Sequence, residues 1–356
     1  MAVQPLEINL DIRPNRRFEI IDVSALLCDQ VGDALHPFRK AVYCSFHTTA
    51  GYLEQGVCRH LGHSRKQLDP FIRAVQKIFP HDAGYFHDRM QLRDELSDSQ
   101  KEKEPVNADS HLTFIGAGLK NCVTYHHRPD EPVYFIELDG IYKDYVRDRR
   151  TTVMAYDRAE IVHRGRIAIP VEGDHAIDSF NLKDARYGLF EQLEEWSRQY
   201  GVDKGCIDIR LAPEEEHVGM TVNEYETLLM RNDLPEVLSD PLRYVLKRSK
   251  KLLQHPAAIP GKTRDYAAYD LIHFYNDLMD QVPVGRSVID RIFSVLSTPA
   301  KRILRLKRRI SLLVSDSAET GPGHIVHGTY QSPILVQHHP AEDGVRYMDI
   351  TLRRLT

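Results

Sequence analysis

At 356 residues the chain is too long for one ordinary core, and two domains, each large enough to fold alone, are expected. A formal net charge of -4 with 28% charged residues excludes the global basicity of a nucleic-acid-binding protein and leaves only local basic stretches. Five cysteines without a CxxC pair, no apolar leader and no run of about 20 apolar residues point to a reducing, cytoplasmic compartment and exclude a spanning helix or a membrane partner.

LEINLDI (6–12) alternates apolar and polar residues, FEIIDVSALL (18–27) follows, and KAVYCSF (40–46) is a β-rich run ending at His47. These read as strands with one short helix or turn among them. QLDPFIRAVQKIF (67–79) carries apolar residues at helical spacing, with Pro70 tolerable in a first turn. PHDAGYFHD (80–88) lies just beyond that helix and packs two histidines, two aspartates and two aromatics into nine residues, a density unusual for a simple connector. LRDELSDSQKEKEPV (92–106) is charged and reads as an exposed loop. HLTFIGAGL (111–119), NCVTYHH (121–127), PVYFIEL (132–138) and TTVMAY (151–156) return to strand chemistry and complete an α+β unit over residues 1–157.

The second unit, residues 158–356, repeats the order. RIAIPV (166–171) parallels the first strand, ARYGLFEQLEEWSRQY (185–200) is an amphipathic helix, and GCIDIRL (205–211) matches KAVYCSF. HVGMTVNEYE (217–226) stands against HTTAGYLEQG (47–56), with Glu224 and Glu54 each seven residues after the histidine. DGIYK (139–143) and HGTYQ (327–331) form a further pair. Matches in fixed order indicate a tandem duplication, with an insertion in the second copy around 250–285.

FHTTA (46–50), KIFPHDAGYFHD (77–88), NADSHL (107–112) and DGIYK make the first half resemble the YjbQ-like family, some of whose members are described as secondary thiamine-phosphate synthases. In the second half HVGMTVNE is similar to the family's His-to-Asn-Glu stretch and HGTYQ to its Gly-Thr-Trp-Gln signature, while TPAK (298–301) puts Lys301 where the family has a histidine. The resemblance implies two tandem α+β domains, each a mixed, largely antiparallel sheet packed with helices. It also implies trimers among single-domain members and a divalent-metal site whose histidines here are His47, His87 and His111.

Three neutral imidazoles suit zinc better than magnesium and leave a position open for a water or a phosphate oxygen. A lone histidine at a strand end is more often a satisfied polar residue than a ligand, so the resemblance carries this assignment. Asp88 and Glu54 are the candidates for general base or for acceptors that orient a ligand imidazole. His81 is explained by its place beside a helix C-terminus. Gly140 and Tyr142 read as a turn and a packing residue, with contact to substrate as the alternative, and Lys301 is a candidate to hold an anionic substrate group. KRILRLKRR (301–309) has helical spacing with one buried stripe and its cations in water, rather than the look of a phosphate-backbone site.

The expected function is a metal-dependent enzyme acting on a phosphorylated small molecule, by resemblance a thiamine-phosphate-synthase-like condensation. A metal-dependent hydrolase of a phosphoester or amide and a non-enzymatic metabolite- or protein-binding scaffold are the alternatives. No nucleic-acid partner is expected, and a homo-oligomer remains open.

Overall fold

The computed structural model describes residues 4–128, 130–173, 175, 177–239, 306–316, 321 and 323–356. The expected insertion around 250–285, Lys301 and most of the KRILRLKRR stretch lie outside the described residues. The first half runs β1 (Leu6–Ile12), β2 (Glu19–Asp22), α1 (Val23–Val31), β3 (Lys40–Ser45), β4 (Ala50–Gly51), α2 (Gln55–His60), α3 (Arg65–Ile78), α4 (Asp98–Lys101) and α5 (Ala108–Ala117). It closes with β5 (Cys122–His126), β6 (Tyr134–Glu137), a small hairpin of β7 (Ile141–Tyr142) and β8 (Tyr145–Val146), and β9 (Arg149–Tyr156). The second half holds β10 (Ala159–Pro170), β11 (Asp178–Asn181), α6 (Leu189–Gln199), β12 (Gly205–Leu211), β13 (Val218–Asn223) and α7 (Leu234–Ser239). After the undescribed segment come β14 (Arg309–Ser315), β15 (His324–Val326), β16 (Ser332–Gln337) and β17 (Val345–Leu355).

Sheet order makes the internal repeat explicit. The first half has β1-β9-β3-β5 and a small sheet β2-β6-β4; the second has β10-β17-β12-β14, extended by β15, and β11-β16-β13. Apart from the β7–β8 hairpin and β15, each strand of one half has a counterpart in the same place and order in the other, and every pairing is antiparallel. The architecture is α+β, with antiparallel sheets packed against helices.

One expected pairing fails. DGIYK follows β6, whereas HGTYQ precedes β16, the counterpart of β6. The first-half position that answers to HGTYQ is therefore the loop before β6, and the shared Gly-X-Tyr triplet is a coincidence across opposite ends of one strand.

Two further elements depart from the sequence reading. Residues 108–117 form a helix, α5, rather than a strand, and every one of its side chains is buried. A short apolar run with no polar face carries no periodicity that tells helix from strand. The ends decide it: Asp88 Oδ1 accepts from the backbone N–H of Asn107 and of Ala108, both at 3.0 Å, and Gly118 closes the helix in the left-handed region at φ 78°. Pro70 sits inside α3, beyond its first turn, where Lys66 loses one backbone donor. The described end of the basic stretch is extended rather than helical: Lys307 exchanges backbone hydrogen bonds with Met220, and β14 begins two residues later.

The second half has a core of its own, built on Ile207, Ile209, Leu312 and Ile350 with Leu189 and Leu193 of α6, whereas the first half's core is shared. Leu229, Met230, Leu234, Val237 and Leu238 of the second half pack into the first half's core, together with Ile334 and Val336 of β16. Val42, Cys44, Cys122, Met154 and Tyr156 meet Leu313 and Leu355 in a small apolar layer between the two large sheets. Beside that layer the Gln331 amide donates to the carbonyls of Ser45 and His47, both at 2.9 Å. The chains approach so closely there that a Cβ on Gly328 would lie 1.8 Å from the Phe46 carbonyl oxygen.

Gly328→Ala is therefore predicted to cost about 1–3 kcal/mol by overpacking the junction. Gly56→Ala, in α2 with open space around its Cβ, should leave stability equal or raised by about 0.5–1 kcal/mol. Urea denaturation of both variants checks the contrast, and equal midpoints would remove the junction's claim to be tightly packed.

Candidate active site between the two halves

The first half supplies two fully buried imidazoles. His111 projects from α5, and His87 comes from the turn after α3; their ring centroids are 5.2 Å apart in an edge-on arrangement. Burying two imidazoles side by side is unfavourable unless each has a defined proton count. The second half and Asn107 define it.

His87 Nδ1 lies 2.8 Å from Glu226 Oε2 and its Nε2 3.1 Å from Asn107 Oδ1. The Asn107 amide is oriented by its Nδ2, which donates to Asp139 Oδ2 at 2.9 Å, so Oδ1 is an acceptor. Both nitrogens of His87 therefore donate, and the ring is an imidazolium. Its pKa is raised: burial opposes the charge, and the bond to Glu226 with the charge of Glu224 outweighs it. Burial likewise works to raise the Glu226 carboxyl, but the bond to His87 holds it below its ordinary range. Leu228 and Leu229 add backbone N–H bonds to the same carboxylate, each at 2.7 Å. Asp233 fixes the turn from below, accepting from the backbone N–H groups of Phe86 and His87 at 2.9 Å each.

His111 has the opposite state. Asn223 donates through Nδ2 to the Thr48 carbonyl at 3.2 Å and accepts at Oδ1 from Glu224 N–H at 2.8 Å, which makes Oδ1 the acceptor for His111 Nδ1 at 2.7 Å. Nε2 of His111 then carries a bare lone pair. It is buried, has no hydrogen-bond partner among the described residues, and faces Glu224 Oε2 at 3.6 Å. Burial and the charge on His87 push the His111 pKa down to about 3. Burial raises the Glu224 carboxyl, against the attraction of His87 and Arg93. Burial thus disfavours the charged form of both facing groups.

Asn107, Glu224 and Glu226, the partners of the two imidazoles, border a cavity of about 650 Å³ formed by both halves, with Arg93, Arg147 and Arg149 also on its wall and Tyr330 at the rim; His87 and His111 lie buried behind that wall. Arg93 is buried in the supposedly exposed 92–106 segment, bonded through Nε to Glu95 at 2.6 Å and near Glu104 and Glu224. Arg147 donates through Nη2 to Asp139 at 2.9 Å, while its buried Nε has no partner among the described residues. Arg149 is committed to Glu137 in a buried bidentate pair.

The expected residues divide accordingly. His87 and His111 come together. His47 lines the same cavity, but its Nε2 accepts from the backbone N–H of Arg150 at 2.8 Å, and its pKa is pushed down to about 3 by burial and then by Arg149 and Arg147. Three convergent imidazoles are not formed, and among the described residues no group of three or more His, Cys, Asp or Glu side chains is arranged to hold a metal ion. With His87 saturated on both nitrogens, His111 Nε2 and Glu224 are the remaining donors, fewer than the three protein ligands a catalytic zinc uses. The residues present do not fit the expected zinc.

Asp88 caps α5 and so positions His111 from behind. Glu54 lies in a different cleft, bonded to Lys120; burial works to raise its pKa, and Lys120, Lys307 and Arg309 together bring it below the ordinary value. Gly140 packs against Pro14 and the Arg16 carbonyl, and Tyr142 carries Lys143 over its ring at 5.0 Å; neither lines the cavity. Lys301 is outside the described residues. His81 pairs with Asp109 at 3.3 Å, an ion pair in place of the expected dipole contact. The residues that sequence reasoning left out are Asn107, Arg93, Arg147, Asn223, Glu226 and Asp233. The one available signal was Asn-Glu-Tyr-Glu (223–226), which was matched to the family without a role.

No family model matches the chain, and no curated protein does. Among solved structures it is similar to a YbjQ-like protein of unknown function from Sulfolobus solfataricus, at 14% identity over 55% of this chain and 99% of that one, with a TM-score of 0.28. It is also similar to a hypothetical protein from Aeropyrum pernix, at 15% identity over 53% and 96% with a TM-score of 0.26. A third is an uncharacterized conserved protein of the YjbQ family from Clostridium acetobutylicum, at 8% identity over 52% and 98% with a TM-score of 0.27. No helix among the described residues is long and apolar enough to cross a membrane.

The protonation states carry a pH dependence of stability. His111 and His47 have folded pKa values of about 3, below the ordinary 6.5, so the unfolded chain binds more protons between those limits. Stability should fall with acidification through that window by about 1.4 kcal/mol per pH unit per histidine. Asp233, raised to about 6 mainly by burial, opposes part of this. His111→Gln should flatten the decline between pH 6.5 and 4.5, read from denaturation midpoints against the parent chain; parallel curves would contradict a buried neutral His111.

Proposed function

We propose that this chain is an enzyme acting on a small phosphorylated molecule, with general acid–base chemistry supplied by the His111–Glu224 pair in the cavity between its halves. The observation that carries this reading is the bare, buried Nε2 of His111 facing a carboxyl of raised pKa on the cavity wall. A structural histidine has no need of an unpartnered nitrogen, because leaving one buried costs about 1–3 kcal/mol.

In a hydrolysis or group transfer, His111 Nε2 takes the proton of the attacking water or hydroxyl as the new bond to phosphorus or carbon forms. Glu224, whose protonated form burial favours, gives its proton to the leaving oxygen or nitrogen as the old bond breaks. The His87 imidazolium keeps His111 neutral beforehand and, with the Arg147 Nε–H, favours negative charge on the reacting group. Tyr330, 72% exposed at the rim, is placed to cover an entering substrate. Hydrolysis of a phosphoester or amide uses both members of the pair; in a condensation of the thiamine-phosphate-synthase type the attacking thiazole nitrogen carries no proton, and only proton donation by Glu224 to the leaving diphosphate would apply.

The test is turnover on a panel of phosphorylated small molecules, including a pyrimidine diphosphate with a thiazole phosphate, followed as released phosphate, diphosphate or alcohol. Glu224→Gln and His111→Gln are each predicted to reduce kcat about 10²–10⁴-fold with little change in KM. Metal analysis accompanies the assay: zinc bound stoichiometrically, lost in His87→Ala and required for turnover, would replace this reading by the metal-dependent one. A ligand that binds in the cavity with no turnover would return the scaffold.

A further inference from the structure

The outer face of the second half's large sheet carries a charge arrangement that neither the fold nor the proposed chemistry uses. A shallow cleft of about 630 Å³ on it is lined by Arg164, Arg166, Arg210, Arg309 and Arg353, against two carboxylates, Asp208 and Asp349. Both carboxylates are already committed: Asp208 to Arg353, and Asp349 to Arg166 at 2.7 Å. Arg166 also reaches Glu214 at 2.6 Å. Arg164, Arg210 and Arg309 have no ion-pair partner among the described residues, and all three are exposed.

Register makes the excess specific. Arg210 on β12 and Arg309 on β14 are direct cross-strand partners, and on the other side of Arg210 the row continues through Asp349 to Arg166. Like charges directly opposite on neighbouring strands destabilise a sheet. Asp349 across from Arg210 and Glu54 near Arg309 offset this pair only in part, because Asp349 is already bonded to Arg166 and Glu54 to Lys120, and the apolar side chains that hold β12 to β14, such as Ile209 and Ile310, point to the opposite face. A bridging anion would offset it, because two guanidinium groups a strand spacing apart match the oxygens of linked phosphates. The cations extend from β10 to β14, three strand spacings or roughly 14 Å, too far for one phosphate to satisfy. Arg309 and Arg353 also border the neighbouring cleft between the two sheets, where Lys40 has no carboxylate partner among the described residues. No aromatic side chain lines the arginine cleft, so nucleobases would find no face on which to stack.

We infer that this face is a binding site for an oligophosphate, an anion of three or more linked phosphates, distinct from the cavity lined by Glu224. The ligand lies across β10, β17, β12 and β14, with Arg210 and Arg309 gripping one phosphate between them and Arg164 holding the distal end.

The experiment is calorimetric titration of the full chain with sodium tripolyphosphate at two salt concentrations. The expected result is one ligand per chain, weakening as salt rises, with affinity at least tenfold lower in Arg210→Gln/Arg309→Gln. His111→Gln should bind like the parent, which separates this site from the catalytic reading. Both arginines are exposed and repel each other, so the double variant should fold, with a melting temperature equal to or above that of the parent without ligand. Undiminished binding by the double variant, or no binding by the parent, overturns the proposal. A single-stranded oligonucleotide that binds where tripolyphosphate does not would assign the face to nucleic acid, and an assembly that dissociates only in the double variant would assign it to a second copy of the chain; either outcome overturns it too.

Discussion

Two imidazoles lie buried against each other, and the rest of the site follows from the requirement that each hold a defined number of protons. The asparagines meet that requirement. Asn107 and Asn223 each commit their NH₂ group elsewhere, to Asp139 and to the Thr48 carbonyl, and so present an oxygen to a histidine. For His87 the consequence is two donors and a cation; for His111 it is one donor and a free lone pair. In water the two rings would titrate alike. Here their environments separate them, and the separation leaves His111 neutral with a lone pair facing Glu224.

Apart from Asn107, the partners that separate them come from the second copy. Asn223 and Glu224 stand at the end of β13, Glu226 just beyond, and Asp233 in the turn that leads to α7. Those residues pack with Leu229, Met230 and Leu234 inside the first copy's core, which makes the two halves one unit around the site. Duplication has therefore become a division of labour: the first copy contributes the imidazoles and the second the groups that set their charge. The corresponding edge of the first copy has gone another way, since Glu54, after β4, is neutralised by Lys120 in a cleft with no histidine.

Much of the fold was legible because strands and amphipathic helices leave periodic traces. Alternation marked LEINLDI and RIAIPV, helical spacing marked residues 67–79 and 185–200, and the order of matched segments exposed the repeat that sheet topology bears out strand by strand. The failures occurred where that signal is absent. α5 is buried on all sides, so no polar stripe distinguishes it from a strand; its identity rests on a cap supplied by Asp88, nineteen residues before Asn107. Arg93 lies in a charged run that composition places in solvent, and only the surrounding carboxylates make its burial tolerable.

By itself the sequence determined the α+β class and the duplication, because strand pattern and segment order are local properties of the chain; His87 and His111 were picked out only by resemblance to a family. Tertiary structure decided what those histidines do. Whether an imidazole is a ligand, a cation or a base depends on which nitrogen meets an acceptor, and the acceptors here are separated from the rings by as many as 139 residues along the chain. The same holds for His47, whose motif matches the other two and whose ring turns to a backbone N–H of Arg150 instead. Hydrogen-bond direction is set by contacts remote in sequence, and no spacing rule encodes it.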